Sequence, residues 1–183
     1  MPAQLFYSYS HKDEKLRDQL ETHLSTLKRE NRISAWHDHR ITSGTEWKSE
    51  IDEQLKNSSA ILLLVTANFL ASDYCHDVEL RYAIEQHQQG SARVIPVILR
   101  PCDWKTTVFA KLQALPTDGN PVISWKTRDD ALLNVVEGIR KALGEMRITG
   151  DTRFRRRSIN RSRTKLMRCG SSSRCVIRRK YLP

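Results

Sequence analysis

Asp73, Asp77 and Glu79 crowd with Cys75 and His76 into the stretch "SDYCHDVELRYAIE", Ser72 to Glu85. They stand past an apolar run, "AILLLV" (Ala60 to Val65), at the start of what reads as a helix. A carboxylate so placed has two readings: it answers the positive end of the helix dipole, or it faces a ligand. Each helical residue turns about 100°, so two acids two positions apart point about 200° from each other and cannot serve one pocket. Asp77 reads better as the helix-start acid. Glu79 is then the candidate for chemistry, with a solvated helix acid as its competing reading. Cys75 has no base placed for it and reads as half-buried packing rather than a nucleophile. A second polar cluster, Tyr9, Ser10, His11 and Lys12 in "SYSHKDE", follows the first apolar run.

Short apolar runs that alternate with amphipathic stretches must position these residues. "QLFYSYS" and "RISAWHD" read as strands. Between them Leu16, Leu20, Leu24 and Leu27 recur at helical spacing. Trp47, Ile51 and Leu55 make a second stripe after the loop "HRITSGTE". "AILLLV" is continuously apolar, as a strand buried on both faces should be. A helix through Tyr82 and Ile84 leads to "RVIPVILRP", where Pro96 suggests a bulge or a less central strand. "PVISW" reads as a short edge strand. Leu132, Val136, Ile139 and Leu143 mark a last helix, with Gly144 suited to its C-cap. Five strand–helix repeats predict an α/β fold, a flavodoxin-like doubly wound five-stranded parallel sheet of order 2-1-3-4-5 with helices on both faces. Ligands of such sheets bind at the carboxyl ends where the strand order reverses, between the first and third strands. The two polar clusters fall on that crevice.

Charge divides the chain in two. From Arg147 onward stand 13 of the 31 basic residues and one of the 21 acids, leaving 18 basic and 20 acidic residues before it. The high pI therefore belongs to the tail, and the expected division is a domain over 1–146 and a basic, disordered tail over 147–183. The tail has three readings: a binder of nucleic acid or an anionic membrane surface, a solvated appendage, or a non-native end of a longer protein whose sensor domain is missing. No apolar run approaches the ~18 residues of a membrane span, and "MPAQLFYSYSHKDE" turns polar too soon for a signal peptide. Cys75, Cys102, Cys169 and Cys175 form no zinc spacing. Reduced thiols, a cytoplasmic location and no metal are expected.

Four motifs in order, "FYSYSHKD", "ITSGTEWKSEIDEQLKNS", "ILLLVTANFLASDYCHDVEL" and "VIPVILRPCDW", resemble a bacterial-type Toll/interleukin-receptor (TIR) domain over about residues 3 to 144. The resemblance implies the same flavodoxin-like fold and one of two kinds of work. Some TIR domains are non-enzymatic modules that transduce signals through TIR–TIR assembly. Others cleave NAD, a substrate and not a cofactor, to nicotinamide and ADP-ribose or a cyclic variant, often in antiphage defence.

The family's catalytic glutamate follows an aromatic and a Cys on the helix after the third strand. Glu79 matches it, after Tyr74 and Cys75, although the family pattern Trp-Cys-x-x-Glu is here one residue longer with Tyr for Trp. That extra residue makes Asp77 a rival. As substrate contacts the resemblance and the cleft together suggest Tyr9, Ser10, His11, Tyr74 and Cys75. Trp36 is a candidate to stack on adenine, with core packing as its alternative. Arg40 is a candidate to contact a phosphate or a neighbouring subunit. The resemblance also implies self-assembly and a sensor domain or partner outside this sequence. Because the tail adds little apolar area, and burial stabilises by about 25 cal/mol per Å², a chain ending at residue 146 should keep the circular dichroism and melting temperature of the full chain. An unfolded or insoluble truncation would show that the tail belongs to the domain.

Overall fold

The computed structural model describes residues 2–36, 53–72 and 80–146. Two compact units divide the chain, Met1–Leu143 and Gly144–Pro183. In the first, β1 (Ala3–Ser8) leads through a 3-10 turn, His11–Asp13, into α1 (Glu14–His23) and α2 (Ser25–Arg29). β2 (Ile33–Trp36) follows. Helical residues 53–57 (α3) precede β3 (Ala60–Val65), the single-turn α4 (Ala67–Leu70), α5 (Leu80–Gln89) and β4 (Arg93–Ile98). Residues 128–146 form the last helix, α6.

The sheet is parallel, in the order β2-β1-β3-β4. Ser8 pairs with Leu63 at the end of β1, and Val65 with Ile98 at the end of β3. All six residues of β3 are buried. Successive strand side chains point to opposite faces, so both faces of this central strand are covered. Phe6, Ile61, Leu63, Val65, Val94 and Ile98 share one core cluster with Leu55, Phe69, Leu80 and Ala83. The leucine stripe of α1 and α2, and Leu132, Val136, Ile139 and Leu143 of α6, are also buried. Those two stripes belong to neighbouring helices. His23 lies 3.3 Å from Asp129, and Arg140 lies 3.2 Å from Glu30.

The predicted fifth strand is not a strand. Residues Val122–Ser124 of "PVISW" form a 3-10 turn, preceded by Pro121, which has no N–H for a ladder. The place beside β4 is held by one residue, Leu115, in a parallel bridge with Val97. Ile98 N–H donates to the Leu115 carbonyl at 2.7 Å, and Leu115 N–H to the Pro96 carbonyl at 2.8 Å. Pro116 follows and again lacks the donor needed to extend pairing. Four strands are therefore present among the described residues, in the expected order. β4 has this bridge on its outer side, a position in which Pro96 is tolerated. Gly144 does not cap α6 either. The helix runs on to residue 146, since glycine in a helix costs only about 1 kcal/mol relative to alanine. Positive-φ glycines among the described residues are Gly90, just past α5, and Gly119. A side chain at Gly119 would also meet the ring of Trp104, with which the loop after β4 packs on the core.

His87 ties the end of α5 to β4, its Nδ1 accepting the Val94 N–H at 3.2 Å. That contact requires the neutral ring. Burial first, and then the charge of Arg93, lower its pKa below 6.5. The unfolded chain then takes up the proton more readily than the folded one. The stabilisation is complete above the unfolded value, about 6.5, and is lost as pH falls through the lower folded value. Urea midpoints at pH 7.5 and 5.5 should therefore fall further for the wild type than for His87→Gln, which keeps an acceptor and does not titrate. Equal falls would remove His87 from the pH dependence.

Candidate functional site at the carboxyl edge of the sheet

The order β2-β1-β3-β4 reverses direction between β1 and β3, and that crevice is bridged by a buried carboxylate. Asp13 ends the 3-10 turn after β1, its N–H donating to the Ser10 carbonyl at 2.8 Å. Its Oδ2 accepts the Thr66 hydroxyl at 2.6 Å, from the residue just past β3. The Asn68 amide donates to both carboxylate oxygens, at 3.3 and 3.4 Å. Arg100, two residues past β4, places Nε 3.5 Å from Oδ1. The Asp13 side chain is 1% exposed and that of Arg100 51%. Thr66 has a second task, since its Oγ1 accepts the Phe69 N–H at 3.0 Å and so caps α4.

Beside this cluster stands Tyr9. Arg17, buried on α1, sets its Cζ 5.1 Å from the centroid of the Tyr9 ring. That separation is within cation–π range. Glu14, Asp18 and Glu21 surround the same guanidinium at 3.1, 3.1 and 3.3 Å. His11 meets the Tyr9 ring edge-on, with centroids 5.8 Å apart. Tyr9 and Ser10 are half-buried and His11 is exposed. These three expected contacts thus lie together on the first loop.

Trp36 ends β2, opposite Phe6. Arg40, Tyr74, Cys75, Asp77 and Glu79 lie outside the described residues, as does the tail over 147–183. The stretch 73–79 is bounded by α4 with Ala71 and Ser72, and by Leu80, the buried first residue of α5. Cys102 is a free, half-buried thiol, and burial, followed by the charge of Asp103, pushes its pKa up. It is therefore poorly suited to act as a thiolate nucleophile. Among the described residues no group of three or more His, Cys, Asp or Glu could hold a metal. No helix among them is long and apolar enough to cross a membrane.

Asp13, Thr66, Asn68 and Arg100 were not singled out by the sequence motifs. The available signal was an acid in the loop after β1 facing a Thr-x-Asn at the loop after β3, both on the carboxyl edge.

A parallel sheet of this order, flanked by helices and with its polar cluster at the β1/β3 reversal, defines a doubly wound α/β domain. Within that class the chain belongs to the TIR domain family, whose profile matches residues 5–133. It is 50% identical over 146 residues to the uncharacterized protein y4lF of Sinorhizobium fredii, a match covering 80% of this chain. The chain spans 45% of that relative's length. The fold is also that of the TIR domain of the Toll-related receptor TRR-2 from Hydra magnipapillata, with a TM-score of 0.52 and 20% identity. The match covers 74% of this chain and 97% of that one.

Removing the bridging carboxylate should loosen this edge. Asp13→Ala leaves the buried Thr66 hydroxyl without its acceptor and is expected to cost about 1–3 kcal/mol. Arg100→Gln, at a half-exposed pair, should cost less than about 1 kcal/mol. Urea denaturation of the two variants checks the ranking, and equal losses would contradict it.

Proposed function

We propose that this TIR domain is a signalling or defence enzyme that cleaves NAD to nicotinamide and ADP-ribose, or a cyclic variant, with Glu79 as its catalytic carboxylate. One observation carries the reading. The β1/β3 reversal, where doubly wound sheets bind ligands, carries the Tyr9–His11 loop and the Asp13 cluster. The chain that leaves β3 from this edge then runs through α4 into the stretch bearing Glu79.

The chemistry asks little of the protein. The bond between nicotinamide nitrogen and the ribose anomeric carbon breaks, and its electron pair leaves on nitrogen. The pyridinium becomes neutral nicotinamide, so no general acid is needed. The anomeric carbon develops oxocarbenium character, as in glycoside hydrolysis. A carboxylate stabilises that cation or holds the ribose hydroxyls. Water, or a nucleophilic atom of the same molecule, then closes on the anomeric carbon and loses a proton. Tyr9, fixed by Arg17, offers an aromatic face beside the site, and Ser10 offers polar contacts.

Chromatography of nicotinamide release by concentrated protein tests this. Glu79→Gln keeps shape and removes charge, so the rate should drop by about 10²-fold, equivalent to roughly 3 kcal/mol of transition-state stabilisation. Asp77→Asn should stay near the wild-type rate. The reverse pattern would move the catalytic role to Asp77. A folded wild type that releases no nicotinamide at high concentration would leave a non-enzymatic assembly module as the function.

A further inference from the structure

We propose that Arg100 is the anchor for the diphosphate of the dinucleotide, a role that rests on the NAD reading above. Leu99 N–H donates to the Val65 carbonyl at 2.9 Å, so the chain stays laddered to β3 until the residue before Arg100. Arg100 is thereby brought beside Thr66, at the β1/β3 reversal. Its Nε turns toward Asp13 Oδ1 at 3.5 Å, while half of the side chain stays exposed. One edge of the guanidinium thus faces a buried carboxylate. Among the described residues, the two terminal nitrogens have no acceptor.

A guanidinium whose Nε is paired with a buried carboxylate keeps its two Nη groups as a fork. That fork matches two oxygens of a phosphate, where a lysine offers a point charge. That pairing also reduces the side-chain entropy lost on binding. Asp13 takes its hydrogen bonds from Thr66 and Asn68, and Arg100 adds an ion pair at 3.5 Å. The carboxylate therefore has hydrogen-bond donors without the arginine. The alternative is a surface ion pair with a purely local role, and a substrate lacking phosphate separates the two.

Nicotinamide riboside carries the same scissile bond as NAD and no phosphate. Arg100→Gln should raise KM for NAD about tenfold, the loss expected for a charge-assisted hydrogen bond. Its kcat should change less than about twofold, and its kcat/KM for nicotinamide riboside should match the wild type. Arg100→Lys should restore the melting temperature if Arg100→Gln lowers it, without restoring KM for NAD. Equal losses on both substrates, an unchanged KM for NAD, or full recovery by lysine would overturn the proposal. Calorimetric titration with ADP-ribose keeps the question apart from catalysis. If the wild type cleaves neither substrate, Arg100-dependent binding of ADP-ribose supports the anchor while the hydrolase reading fails. Absence of ADP-ribose binding by the folded wild type overturns the anchor as well.

Discussion

The buried carboxylate of Asp13 is the constraint on which the carboxyl edge depends. A charge taken out of water costs several kcal/mol unless polar partners surround it. Here those partners come from two segments: Thr66 and Asn68 at the β3–α4 junction, and Arg100 past β4. None of them is near Asp13 in sequence, so satisfying one carboxylate fixes two further connections to the loop after β1. Thr66 carries the constraint further. Its hydroxyl donates to Asp13 while accepting the Phe69 N–H. The same oxygen therefore sets both the bridge across the reversal and the direction in which the chain leaves β3.

Arg17 makes α1 part of the site as well as part of the core. Leu16 and Leu20 fill the apolar side of that helix, while Arg17 is buried between them in sequence. A buried cation needs compensation, and Glu14, Asp18 and Glu21 supply it from the same helix. The ring of Tyr9 then sits over a guanidinium that is already placed. The first-loop aromatic is thus braced by helix packing as well as by His11 of its own loop. Loops that carry function are commonly positioned in this way by rigid neighbours.

Local pattern was enough for the elements whose burial is one-sided or complete. The run Ala60 to Val65 can only be a strand covered on both faces, and it is. The leucines of α1 and α2 recur at helical spacing because they meet one core. "PVISW" misled because β-branched and aromatic residues suit a strand, while a strand also needs partners. The prolines at 116 and 121 withdraw donors on either side of the Thr117–Gly119 turn, so pairing beyond β4 shrinks to Leu115. Gly144 misled because glycine permits a helix end without requiring one. Asp13 was illegible for a different reason. An acid near a helix start already has an explanation in the dipole, and its burial is decided by a threonine 53 residues away. Arg100 depends on Asp13 and was hidden with it. Glu79, Asp77, Tyr74, Cys75 and Arg40 were nominated as candidates from the sequence, and lie outside the described residues.

Charge distribution explains why local geometry matters so much on this edge. Before Arg147 the chain holds 18 basic and 20 acidic residues, so the domain itself offers an anion no net attraction. The basic tail does not change this by proximity in sequence alone. Fields from exposed charges fade over about 8 Å at physiological salt. An anionic ligand must then be held by donors aimed at it over a few ångströms. Such aim requires donors whose own position is settled before the ligand arrives. On the carboxyl edge the buried carboxylate provides that order. Its partners face it with one polar group each, and the arginine among them stays half-exposed. A buried negative charge can in this way organise positive charge at the surface. The alternation of apolar runs cannot reveal it, because the organising contact joins loops that only the folded sheet brings together.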